Sequence, residues 1–171
     1  MSRTLTYRGY QPTLSVKARA VPIVSTMIGS LVPMLIPVIA QAPVLPPFGL
    51  LTLLAWRLLR PGFWAIWAPL PLGFFDDLAS GQPVGSAMLS WTLAFLAIEA
   101  SERSVLWRDY LQDWLVAAAA IAGCLMAGYL FALFAGGAAP IFAIMPQIVA
   151  SILFFPGIAR LCARLDVWRL R

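Results

Sequence analysis

Six apolar runs, at roughly 20–41, 46–59, 62–79, 84–100, 113–136 and 140–161, account for most of this chain. A run of about 20 apolar residues, rising ~1.5 Å per residue, matches the ~30 Å hydrocarbon core of a bilayer. The 171 residues are 61% hydrophobic and 11% charged, and mean hydropathy is +0.86. Soluble domains carry far more charge. The pattern predicts an all-α, polytopic membrane helix bundle with six transmembrane helices, and leaves no stretch for a separate soluble domain. The first, fifth and sixth runs are long enough to cross. The second is short and would cross only with local thinning or as a half-helix.

The charges give the layout a direction. The twelve basic residues are Arg3, Arg8, Lys17, Arg19, Arg57, Arg60, Arg103, Arg108, Arg160, Arg164, Arg169 and Arg171. With six crossings and a cytoplasmic N-terminus they all fall at cytoplasmic ends. None falls in the gaps 42–45, 76–83 or 136–140. That is the positive-inside distribution, and it predicts both termini in the cytoplasm. The expected division is a basic N-terminus over 1–19, a bundle over 20–161 and a basic tail over 162–171 lying on the inner leaflet. The net charge of +5 then reflects topology and anionic lipid rather than nucleic acid. The polar, basic residues 1–20 precede a long apolar run with no small-residue cleavage site, so no cleavable signal is expected.

Local features refine the bundle. Pro33, Pro37, Pro69, Pro71, Pro146 and Pro156 fall within predicted spans, where each is expected to kink or break its helix. Ala119, Gly123 and Ala127 form a small-residue stripe at four-residue spacing on the fifth span. Such a stripe serves either tight packing within the bundle or a contact face for another helix, including one from a second copy of the chain. Trp56, Trp64, Trp67, Trp107, Trp114 and Trp168 near span ends read as interfacial anchors, and Trp91 as packing. Cys124 and Cys162 lie in different apolar segments and read as apolar fillers.

The chemistry-bearing candidates are few. The chain has no histidine, which removes the commonest metal ligand and general base. No P-loop, nucleophile elbow, Cys-x-x-Cys or His-Glu-x-x-His pattern is present. The adjacent carboxylates Asp76 and Asp77 are the exception, since a charge at membrane depth is costly. One reading is a solvated turn whose carboxylates accept backbone N–H bonds and start the next helix. The others are a partner contact, or an ion, proton or substrate site. Counting from Pro61, Asp76 lies about 21–24 Å along the third span, near its far interface. Arg57 and Glu99 both belong to the inner side, where they either pair or snorkel separately. Gln147 is the deepest remaining polar side chain, and Gln41 also lies in an apolar run. The segment 99–113 alternates charge with Trp107 and Tyr110, as a short interfacial helix or a cytoplasmic contact surface would.

The residues Gly73-x-x-x-Asp77-x-x-x-Gly81-x-Pro83-x-Gly85 also carry a family resemblance. With Pro46-Pro47-Phe48 opening a leucine-rich helix, Trp56 near its end and Arg60-Pro61 after it, the chain resembles MreD, the small membrane protein of the bacterial rod-shape system. The family's acidic position falls on Asp77, and Asp76 is an additional acid. The resemblance implies a non-enzymatic scaffold or regulator of cell-wall elongation in the bacterial inner membrane, without a cofactor. It would act with MreC, alongside MreB, RodA and a class B penicillin-binding transpeptidase. It implies a fold similar to the membrane components of vitamin transporters. Asp76, Asp77, Gly81, Pro83, Gly85, Ala119, Gly123 and Ala127 are the expected partner contacts. Two rivals come from other classes. A small-molecule-binding component of a vitamin-type transporter predicts a polar-lined pocket. An isoprenoid-phosphate enzyme acting through Asp76 and Asp77 predicts a metal, with further oxygen ligands.

Overall fold

The computed structural model describes residues 16–35, 45–102, 109–137 and 140–170, with side chains from residue 19 onward. Arg3, Arg8, Pro37, Gln41, Arg103, Trp107, Arg108 and Arg171 lie outside these residues. Among these residues six α-helices form: α1 Val16–Leu35, α2 Phe48–Leu59, α3 Pro69–Ser80, α4 Ser86–Glu102, α5 Tyr110–Phe134 and α6 Met145–Arg169. A single 3₁₀ turn at Ile141–Ala143 precedes α6. The all-α expectation holds, and there is no strand among the described residues. Among the described residues two helical stretches are long and apolar enough to cross a membrane, Tyr110–Phe134 and Ile141–Arg169.

The short second run is the centre of the molecule. In α2 every residue from Gly49 to Leu58 is buried. A helix that is hydrophobic all round belongs in an interior. The other five helices close around it, with α1 against α3, α3 against α4, α4 against α5, α5 against α6, and α6 back against α1. At 12 residues α2 spans only about 18 Å. It is enclosed by protein, so its length need not match that of a bilayer. Leu50, Leu51, Leu53, Leu54 and Trp56 from α2 meet Leu72, Trp91, Phe95, Ile98, Ile121 and Phe155 from the ring.

Several boundaries differ from the sequence expectation for identifiable reasons. The third span was expected from residue 62, but residues 61–68 form turns and α3 starts at Pro69. Pro69 and Pro71 therefore lie in the first turn, where a missing N–H costs nothing, and they begin the helix instead of kinking it. Pro146 does the same for α6, while Pro33 and Pro156 are inside helices. The sixth helix continues past 161 to Arg169, so most of the expected tail is part of the bundle. Trp56 is fully buried and not an interfacial anchor, whereas Trp67 and Trp168 are exposed. Its indole N–H donates to Ser25 Oγ at 2.9 Å, joining α2 to α1. Both cysteines are buried and free.

Candidate functional site

The two aspartates, adjacent in sequence, do different jobs. Both lie in the last turns of α3, not in the turn that follows. Asp77 is 1% exposed. Its Oδ2 accepts from the backbone N–H of Gly85 at 2.8 Å, and its Oδ1 from that of Ala87 at 2.8 Å. The Ser86 hydroxyl adds a bond to Oδ1 at 2.9 Å, and the Met88 N–H lies 3.4 Å from Oδ2. These donors are the free amides of the first turn of α4. Asp77 thus caps the N-terminus of α4, whose own cap position lies eight residues later at Gly85, a role usually taken by the residue at the helix start. Gly85 occupies that start with φ +99°, and it has no side chain to cap with. A carboxylate at the end of α3 opposes that helix's dipole, but here the N-terminal partial charge of α4 offsets it.

The rest of the Gly73–Gly85 pattern serves the same junction. A Cβ on Gly73 would sit 2.7 Å from both Met88 Cα and Met88 N, so only glycine lets α3 approach the start of α4 this closely. Gly81 ends α3 in the left-handed conformation. The Pro83 carbonyl accepts the Ser86 N–H at 3.0 Å. Gly81 and Pro83 are exposed on the turn, and Gly85 is half-buried. The sequence reading of carboxylates that start the next helix therefore fits Asp77, except that the site is buried instead of solvated.

Asp76 points elsewhere. It is 9% exposed, and no described residue donates a well-formed hydrogen bond to its carboxylate. Ser30 of α1 stands beside it, yet the Ser30 hydroxyl itself has no hydrogen-bond partner of acceptable geometry. A Cβ on Gly49 would overlap Ser30 Oγ and lie 2.9 Å from Asp76 Oδ1, so α1, α2 and α3 meet at this carboxylate. Asp76 also lines a cavity of about 260 Å³ between the ends of α2, α4, α5 and α6, with Gln82, Ser90, Trp91, Tyr129 and Gln147. Gln147 Nε2 donates to Leu45 O at 2.8 Å, tying α6 to the entry of α2.

The small-residue stripe faces outward. Nothing lies within 4 Å of a Cβ on Gly123, which excludes close packing inside the bundle at that position. Ala119, Gly123 and Ala127 instead form one wall of a groove of about 380 Å³, whose other wall is Leu93, Ala94, Ala97 and Ser101 of α4.

At the opposite end of the bundle, arginines do the cross-linking. Arg57 is 3% exposed. It donates from Nη1 and Nη2 to Glu102 at 3.1 and 2.8 Å, and from Nη2 to Glu99 at 2.7 Å. Pairing, not snorkelling, is what Arg57 does. The fork to Glu102 is the bidentate geometry in which a guanidinium binds most strongly. Arg60 and Arg169 both donate to Asp166, at 2.7–2.9 Å. The Arg169 guanidinium also lies 5.0 Å from the Trp56 ring centre and 4.8 Å from that of Phe63. Sequence reading missed this second cluster. Asp166 and Arg169 are an i,i+3 pair on α6, but Arg60 stands 106 residues before Asp166, and no local spacing brings it to them.

No three His, Cys, Asp or Glu residues gather as a metal site among the described residues. No protein-family model matches the chain, and no curated protein or solved structure is significantly similar to it.

Proposed function

We propose that this chain is a multi-pass protein of the bacterial inner membrane, with both termini cytoplasmic, that scaffolds or regulates the cell-wall elongation complex by docking partner helices. The outline comes from the resemblance of the Gly73–Gly85 pattern and its neighbours to MreD. Lipid exposure draws support from the exterior, where Leu35, Leu78, Phe134, Phe142 and Leu153 are each at least 61% exposed. So large an apolar surface suits hydrocarbon, not water. The charge distribution supports the orientation, since the arginine clusters gather at one end of the bundle.

The observation that carries the docking mechanism is the α4–α5 groove. Alanine, glycine and serine on both walls let a third backbone approach closely, which is how helices associate in lipid. A membrane helix of MreC is the proposed occupant. MreB, RodA and a class B penicillin-binding transpeptidase would join through the assembled complex. The test is mild-detergent capture of the tagged full chain from its native host, with quantitative mass spectrometry. MreC and elongation proteins are expected above an unrelated tagged membrane protein. Gly123→Leu, which fills the groove, is expected to lower MreC recovery several-fold while the bundle still folds. Enrichment of transporter ATPase subunits, or of no elongation protein, would overturn the reading.

A further inference from the structure

We propose that the cavity at the α3–α4 turn binds a small organic ammonium ion, with Asp76 as its counter-ion. This inference does not rest on the scaffold reading. The first argument is charge. Asp76 is a nearly buried carboxylate without a well-formed hydrogen bond among the described residues, and no lysine or arginine lines the cavity. Buried charges are otherwise paired, and every other buried charge among the described residues is: Arg57, Asp166 and Arg169 with opposite charges, Asp77 with helix amides.

The second argument is the polarity of the wall. Gln147 spends one N–H on Leu45 O, and its carbonyl stays open to a donor from a ligand. Gln82 Oε1 shares the lining and lies a long 3.3 Å from the Ser86 hydroxyl, whose proton goes to Asp77. With the Asp76 carboxylate these amide oxygens offer a donor ligand several acceptors in one wall. The third argument is size and surface. A volume of about 260 Å³ lies just below the roughly 300–1,000 Å³ of drug-sized sites and far above the ~30 Å³ of a bare ion or water. Trp91 and Tyr129 supply aromatic walls, which attract cations through their ring faces. A divalent metal would need further oxygens or a second acid, and Asp77 is held by α4.

The experiment uses the full chain in zwitterionic nanodiscs, with empty discs as blank, and 2-phenylethylammonium as probe against its neutral isostere 2-phenylethanol. Ligand-observed NMR titration is expected to show saturable binding of the ammonium, at least about tenfold tighter than the alcohol, as a charge-assisted contact gives. Asp76→Asn is expected to erase that preference. Gly128→Leu tests the cavity without touching Asp76. A Cβ on Gly128 would lie 3.8 Å from Gln82 Oε1, so Gly128→Ala should keep binding while the leucine blocks both probes. No saturable binding at millimolar probe, equal affinity for the alcohol, or binding unchanged by both Asp76→Asn and Gly128→Leu would each overturn the proposal. Capture of MreC is a separate readout, so failure here leaves the scaffold reading standing.

Discussion

The two ends of this bundle handle buried charge in opposite ways. At one end Arg57, Arg60 and Arg169 are matched by Glu99, Glu102 and Asp166, so each cation has an anion within 2.8 Å. At the other end two adjacent aspartates have no cation beside them among the described residues. Asp77 is satisfied by the amides of α4, and Asp76 is left facing a cavity. Matched ion pairs fix geometry, because both partners lose by separating. An unmatched acid in a hollow is a recognition element, because it gains from something brought in. The difference teaches that the arginine end holds the helices in register and the turn end is where the molecule has capacity to bind.

The largest effect should come from breaking the arginine end. Glu99→Ala with Glu102→Ala would leave the Arg57 guanidinium buried against Phe95 without an anion. Orphaning a buried charge costs about 3–5 kcal/mol. Glu99 is 42% exposed, so the lower end, about 3 kcal/mol, is expected, read as a fall in the thermal midpoint in detergent. Adding Arg57→Met to the double variant should restore most of that loss, because it removes the orphan. If the double variant is as stable as the parent, the arginine end is not a clamp and the contrast collapses.

Asp77→Asn comes next. The amide can still accept one bond but loses the charge that faces the α4 amides and the helix dipole. Loss of a cap costs about 1 kcal/mol and loss of charged hydrogen bonds somewhat more, so about 2 kcal/mol is expected. Hydrogen exchange should report it locally, with faster exchange at the Gly85 and Ala87 amides than at the middle of α4. Exchange unchanged at those amides would show that α4 is capped by something else. The same result bears on partner studies. Asp77 is too buried to probe an interface by substitution, since any loss of recovery would also reflect a frayed α4.

How much of this was legible in the sequence follows from range. The helices were legible because apolar runs and prolines are local signals. The start of α3 lies seven residues beyond the expected one because Pro61-Gly62 and Pro69 are both valid local beginnings. The polar pair at 76–77 stood out, and so did the notion that a carboxylate there starts the next helix. Which of the two does it, and that the other faces a cavity, depends on α1, α2, α5 and α6. The burial of α2 was hidden for a related reason. A short apolar helix reads as a weak span until a ring of other helices is known to enclose it. In the Arg60–Asp166–Arg169 cluster the Asp166–Arg169 pair is a local i,i+3 spacing, but nothing near Arg60 announces that it joins them from 106 residues away.

The smallest expected effect is also the sharpest control, because it compares one substitution at two places. Gly73→Ala puts a methyl 2.7 Å from the Met88 backbone. Backbone cannot turn aside as a side chain can, so α3 and α4 must separate, and the Asp77 cap lengthens with them. Overpacking of this kind costs about 1–3 kcal/mol. Gly123→Ala adds the same methyl where nothing lies within 4 Å. Alanine favours the helix by up to about 1 kcal/mol over glycine in an exposed position, so stability should hold or rise slightly. The proposed docking groove narrows by one methyl, so capture of MreC should fall modestly while the thermal midpoint does not. A destabilised Gly123→Ala variant would mean that α5 packs there against something the fold of one chain does not contain, and a second copy would then be the first occupant to test by cross-linking. A stable variant with unchanged capture would move the search for the partner face away from α5, leaving the turn end as the place where this molecule meets others.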